Sequence, residues 1–221
     1  MDKRFWAIIG VIVVVFFGVV LLRGNNNKSS NTSSSTKPTN HVTGNLSSAV
    51  TLTEYGDYEC PACESFDQTV LAVRQKYATT IKFQFRNLPL SQVHPNAFAG
   101  ARAAEAADMQ GKFWEMHDAL YQNANWSDWS TATDPTPFFK TYAKQLGLDA
   151  TKFQNDFKSS AANDRVNADI AAFKATGKDQ STPTFFLNGK YIANTSLLDG
   201  NNLPSIDAFS KVIDAALAAN K

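Results

Sequence analysis

Residues 50–63 read VTLTEYGDYECPAC, and this stretch decides the fold. Val50–Tyr55 alternates and is rich in strand formers, so it is expected to be a strand. Behind it, Phe66, Val70, Val73 and Tyr77 recur at the helical period, so the two cysteines open a helix. Then Ile81, Phe83 and Phe85 alternate with polar residues, a second strand. The order strand–CxxC–helix–strand is a βαβ unit. The chain has 221 residues and only two cysteines, Cys60 and Cys63. A disulfide between them would close a very small loop and restrain the unfolded chain little, so stapling is a poor reason for their presence. Chemistry is a better one. The first cysteine sits by the open N–H groups and positive dipole end of the helix, which stabilise a thiolate, the species that attacks disulfides. Pro61 suits the first helical turn because its missing N–H would be unpaired there. Cys63 lies one turn on. Cys60 is therefore expected to be the exposed nucleophile and Cys63 the more buried resolving thiol.

Glu54 shares a strand face with Val50 and Leu52 and leads Cys60 by six positions. A carboxyl on that face loses hydration, and its pKa should rise. This makes Glu54 a candidate for proton transfer; the competing reading is a strand-end glutamate reaching solvent. Thr182-Pro183-Thr184 precedes another strand, Thr184–Leu187. Proline at a strand entry is ordinary, and the residues alone do not fix its isomer.

Working outward, the stretch from Pro95 to about Ser160 is helical: an alanine-rich segment at 97–107, then 112–122, 137–147 and 149–158. A helix at 164–176 follows, then Thr184–Leu187, an Asn188-Gly189 turn, a return strand at 191–193 and a last helix at 205–219. On the other side, Phe5–Leu22 is uncharged and apolar, about 27 Å as a helix, which fits the hydrocarbon thickness. No small-residue cleavage site follows, so an uncleaved anchor over 1–23 is expected in preference to a signal peptide. Residues 24–48 are rich in Asn, Ser and Thr and are expected to form a disordered linker, with His41 simply solvated. The domain then covers 49–221. A net charge of +1 gives no reason to expect nucleic acid as a partner.

Three blocks in this order, EYGDYECPAC, NLPLSQVHPNAFAGARAAEAADMQGKFWEMHDAL and STPTFFLNGKYI, resemble the DsbA-like, BdbD-like branch of the thioredoxin superfamily over roughly residues 49–219. The resemblance implies an α/β thioredoxin fold with a helical domain inserted at about 95–160. It implies that Cys60 attacks, Cys63 resolves, Glu54 is the acid beneath the pair, and Pro183 is a cis-proline facing the sulfurs with Thr182 before it. It implies thiol–disulfide exchange without a bound cofactor or metal. The expected partners are exported proteins with reduced or mispaired cysteines and a quinone-linked membrane thiol oxidase. The expected location is the cell membrane, single-pass, with the C-terminal domain extracytoplasmic. One departure stands out. Oxidising members carry Cys-Pro-His-Cys, whose histidine helps stabilise the thiolate, whereas here Ala62 takes that place. Glu54, Asp57, Glu59, Glu64 and Asp67 surround the pair, and their negative charge is expected to oppose the helix dipole. The direction of electron flow is thus open between a dithiol oxidase and a reductase or isomerase.

Two non-redox readings compete. Cys60 and Cys63 could supply half a zinc site with His94 and His117, but the histidine spacing is not that of common structural sites. A protein-binding module that kept the fold is the other, with Trp126 and Trp129 as a contact patch; packing inside the helical insert is the plainer use of both.

Overall fold

The structure, a computed structural model, describes residues 37–220. The expected anchor over 1–23 and most of the expected linker lie outside the described residues. Among the described residues, no helix is long and apolar enough to cross a membrane.

Five strands form one mixed sheet: β1 (His41–Gly44), β2 (Thr51–Gly56), β3 (Lys82–Asn87), β4 (Thr184–Leu187) and β5 (Lys190–Ile192), in the order β1-β3-β2-β4-β5. β2 and β3 run parallel, joined by helix α1 (Pro61–Lys76); the other pairs are antiparallel. The βαβ unit expected from residues 50–86 is therefore the centre of the sheet. β3 buries every second residue, as its alternation requires. Phe66, Val70 and Val73 on α1 pack with Leu52, Phe83 and Phe185 of the sheet and with Phe209 and Ile213 of the last helix. Burial of each such side chain contributes about 1.5–3 kcal/mol, so this face holds α1 firmly against β2.

Between β3 and β4 the chain builds six helices: α2 (Ala97–Asp108), α3 (Phe113–Tyr121), α4 (Asn123–Ser130), α5 (Thr136–Gln145), α6 (Ala150–Phe157) and α7 (Ser160–Ala175). α8 (Ile206–Ala218) closes the chain. The hub is α2. Its Ala101, Ala103, Ala104, Ala106 and Ala107 are all buried, because small side chains let neighbours approach from every side. Gly100 shows the limit of this: a Cβ there would lie 3.1 Å from Tyr58 Cβ and 3.2 Å from the Trp129 ring. Trp129 is fully buried, and the Trp126 indole N–H donates to the Tyr58 carbonyl, 2.7 Å away. Trp129 packs inside the insert, and Trp126 packs half-buried against the same cluster.

The domain starts earlier than the sequence suggests. Residues 37–48 were expected to belong to a disordered linker, yet His41–Gly44 is a strand paired with β3. Its anchoring is non-local. Thr39 donates from its N–H and its hydroxyl to the two carboxylate oxygens of Asp169 on α7, at 2.8 and 2.6 Å. His41, expected to be solvated, is buried; its Nε2 lies 2.7 Å from Glu105 on α2, and its ring stacks on Phe113 with centroids 3.5 Å apart. Charged partners brought from α2 and α7 supply what the polar composition lacks.

Candidate active site

Cys60 is the N-cap residue of α1, extended at φ −76° and ψ 122°, with Pro61 at the first helical position. No side-chain hydrogen bond caps the helix, so the N–H groups of Ala62 and Cys63 remain open to a charge on the sulfur. Both cysteines are free thiols. Cys60, expected to be exposed, is buried at 7 % because the Thr182–Pro183 segment covers it, and Cys63 is the more buried of the two at 1 %. Pro183 follows a cis Thr182–Pro183 peptide at the start of β4, and Cys60 Sγ lies 3.4 Å from the Thr182 carbonyl oxygen, to which the thiol donates. The fold thus brings Cys60, Cys63, Thr182 and Pro183 to one end of the sheet.

The two sulfurs are tuned in opposite directions. The Cys60 thiol is brought down to about 5 by the hydrogen bond from Cys63 first, with the Thr182 hydroxyl and the N–H groups of Cys63 and Ala62 adding to it against burial. Burial pushes Cys63 well up, and its hydrogen bond to Cys60 pushes it further. Cys60 therefore favours the thiolate at neutral pH, a form that no longer donates to the Thr182 carbonyl, and Cys63 favours the thiol.

Glu54 sits at 3 % exposure on the central strand, between Phe85 on one side and Phe185 on the other. Burial raises its pKa to about 8, the charge of Asp67 adds to this, and Arg74 opposes it. Asp67 on α1 rises to about 7, mainly by burial. These values correct the expectation for two of the five carboxylates, Glu54 and Asp67. Glu54 is mostly neutral at pH 7 and Asp67 about half so, and a neutral carboxyl does not repel a thiolate.

Asp57 is turned to a different task. Its Oδ1 accepts from the Glu59 N–H at 2.8 Å, and its Oδ2 accepts from the Leu90 N–H at 2.8 Å. Its own N–H donates to Cys63 Sγ at 3.5 Å, and its carbonyl accepts from the Cys60 N–H at 3.1 Å. Oδ2 also meets His94 Nδ1 at 2.7 Å. Glu59 accepts from the Asn96 N–H, so two carboxylates ahead of the CxxC hold the 90–96 loop. Sequence reading missed the Asp57–His94 pair because 37 positions separate its members and each looks like a loop residue. It also missed Tyr121, whose hydroxyl is buried without a hydrogen-bond partner and lies 3.1 Å from where a Cβ on Gly56 would be. Burial pushes that phenol well up, so it stays protonated.

His94 and His117 do not converge with the cysteines. His117 Nδ1 bonds the Tyr58 hydroxyl at 3.1 Å, and its ring is buried against Phe85 and Trp114. Among the described residues, the grouping with metal-ligating chemistry is His41, Glu105 and Asp108. Arg165 reaches both of its carboxylates, so an ion-pair network already balances that charge.

Comparison with known proteins agrees with this geometry. A family model described as Thioredoxin matches residues 36–215. Among solved structures, α-DsbA1 of Wolbachia pipientis superposes with a TM-score of 0.65 at 18 % identity, covering 82 % of this chain and 92 % of that one. A thioredoxin-like oxidoreductase from Silicibacter pomeroyi DSS-3 gives 0.64 at 22 %, covering 82 % and 94 %. Among curated relatives, Na(+)/H(+) antiporter NhaA 1 of Mycolicibacterium gilvum is 38 % identical over 153 residues, 68 % of this chain but 24 % of that protein. The chain spans about a quarter of the length of the curated relatives it matches, and the likeness concerns that quarter alone. The chain belongs to the thioredoxin family, and its architecture, a thioredoxin fold with helices inserted between β3 and β4, is the DsbA-like one.

Proposed function

We propose that this protein is an extracytoplasmic thiol–disulfide oxidoreductase, a dithiol oxidase that forms disulfide bonds in exported proteins through Cys60 and Cys63. The observation that carries the reading is the opposite tuning of the two sulfurs: Cys60 is lowered to about 5 and Cys63 raised. A stabilised thiolate favours the reduced protein, and that makes its disulfide an oxidant.

In the oxidised protein, a substrate thiolate attacks Sγ of Cys60. The Cys60–Cys63 bond breaks and Cys63 leaves with the electron pair. Glu54, carrying a proton at neutral pH, is the acid that returns Cys63 to the thiol. A second substrate thiolate then attacks the substrate sulfur of the mixed disulfide, and Cys60 departs as the thiolate. The substrate gains a disulfide, and two electrons rest on the protein's cysteines. The carbonyl of Thr182, 3.4 Å from Cys60, offers an edge against which the substrate backbone pairs during the attack. A quinone-linked thiol oxidase in the membrane would remove the electrons. The apolar run Phe5–Leu22 supports a single-pass anchor, and disulfide chemistry favours the extracytoplasmic side for the redox domain.

The test is the reduction potential of the Cys60–Cys63 pair against glutathione, together with the oxidation of a reduced, unfolded two-cysteine protein. A potential well above that of thioredoxin, toward about −120 mV, with stoichiometric oxidation of the substrate is expected. A value near −270 mV, with substrate disulfides reduced instead, would replace this reading with the reductase one.

A further inference from the structure

Between the cysteines stand Pro61 and Ala62, neither of which carries charge. A basic ring is tied from elsewhere to the turn that leads into the pair. His94 lies in the loop between β3 and α2, with its Nδ1 2.7 Å from Asp57 Oδ2 and 18 % of its side chain exposed. Its Nε2 makes no hydrogen bond to any described residue. Asp57 is fixed on both sides of this contact. The N–H groups of Glu59 and Leu90 hold its carboxylate, and its backbone is tied to the Cys60 N–H and to Cys63 Sγ. The ring is thus mounted on the same turn that presents the nucleophile. Burial disfavours the imidazolium, but the Asp57 hydrogen bond and charge outweigh it, and the charges of Cys60 and Glu59 act in the same direction, so its pKa is raised.

We propose that His94, held by Asp57, is a positioning residue for the thiol–disulfide reaction: it supplies from a distant loop the positive charge that stabilises Cys60 as a thiolate leaving group. This rests on the oxidase reading above and names the device that sets its strength. In the second exchange step, the electron pair of the breaking mixed disulfide goes to Cys60 Sγ, and an imidazolium mounted on the same turn lowers the energy of that charge. No proton need move between His94 and the sulfur; the ring acts through its field. The rest of the His94 surroundings is acidic, Asp57 and Glu59, which favours the imidazolium also when Cys60 carries no charge.

The charge coupling is reciprocal, so it is measurable without altering the protein. The chain has three histidines, and His41 and His117 are buried, which makes His94 the readily resolved ring. Ring-resonance titration of His94 in the full chain, solubilised in detergent, is expected to give a higher midpoint in the reduced protein, where Cys60 is a thiolate, than in the oxidised one. Equal midpoints in the two redox states would overturn the proposal. The variants give the other half. His94→Asn keeps a polar partner for Asp57 and removes the charge; it should raise the Cys60 titration midpoint, read as thiolate absorbance, by about one pH unit. It should also weaken the glutathione equilibrium about tenfold, ~30 mV toward reducing. His94→Lys retains the charge and should restore most of both. An unchanged midpoint in His94→Asn, or equal changes in the two variants, would mean that the ring only braces the loop. The thiolate titration uses no substrate, so it reports on His94 even if the oxidase reading fails.

Discussion

Cys60 and Thr182 stand 122 positions apart in the chain, yet Cys60 Sγ lies 3.4 Å from the Thr182 carbonyl. β2 and β4 are antiparallel neighbours, with Tyr55 opposite Thr184, so the end of one strand and the entry of the other must meet. Sheet register thereby places the nucleophile against the Thr182 backbone at the entry of β4.

The asymmetry of the two sulfurs gives the first prediction. Cys60 titrates at about 5 and Cys63 is raised, so Cys63→Ala should accumulate mixed disulfides with substrates, while Cys60→Ala should capture none. Non-reducing gels read the adducts, and absorbance at 240 nm reads the thiolate. Adducts in Cys60→Ala alone would reverse the assignment.

Gly56 ends β2 directly above the site. A Cβ there would lie 2.5 Å from Phe85 Cε2 and 3.1 Å from Tyr121 Oη, and neither ring has free space behind it, since both are buried. Gly56→Ala should therefore destabilise the fold by about 2 kcal/mol through overpacking, measured as a lower urea midpoint. A midpoint equal to wild type would show that the two rings can shift.

The centre of the fold was legible and its margins were not. Strand β2, helix α1 and strand β3 follow from periodicities of two and 3.6, because each is half-buried and its pattern records the burial. Strand β1 was hidden because what orders Thr39 and His41 lies at Asp169 and Glu105, outside any local window. Helix α4, with the sequence NANWSDWS, lacks an apolar stripe of helical spacing, and it is held by Trp129 sinking into the insert. At the site, the pattern located Cys60, Cys63 and Glu54. It also gave the rise of Glu54 with burial, but it could not reveal that Asp67 rises too, or that Asp57 faces His94 and not the sulfurs, since both depend on the assembled environment.

His41 should make stability fall at alkaline pH. Burial lowers its pKa, but Asp108 and Glu105 more than compensate and bring it from 6.5 to about 9. The folded state therefore holds a proton that the unfolded chain releases above 6.5. The contribution, about 3 kcal/mol at most, is fully present below pH 6.5 and is lost as pH rises through 9. Urea unfolding of His41→Asn against wild type should show a large deficit at pH 6 that shrinks by pH 9.5. A deficit independent of pH would assign the effect to stacking on Phe113 alone.

Glu54 should also make stability fall as pH rises, over a lower range, and should act directly on rate. Its carboxyl goes from 4.5 in the unfolded chain to about 8 in the fold, raised by burial and then by the charge of Asp67. Between those values the folded state binds a proton that the unfolded state has lost, so stability declines as pH rises from 4.5 to 8. Glu54→Gln removes that cost while keeping the shape. It should stabilise the protein little at pH 4.5 and by about 3 kcal/mol at pH 7, with no further gain above pH 8.5. The same substitution removes the acid that protonates Cys63 as it leaves, and should slow disulfide exchange with a dithiol peptide by about tenfold to a hundredfold at pH 7. The gain in stability and the loss of rate must appear together, because both come from one buried, titrating carboxyl. A variant that is more stable but exchanges at the wild-type rate would keep Glu54 as a buried acid and remove it from the reaction. One that is slower with an unchanged stability profile would mean that the carboxyl does not titrate in the fold over this range.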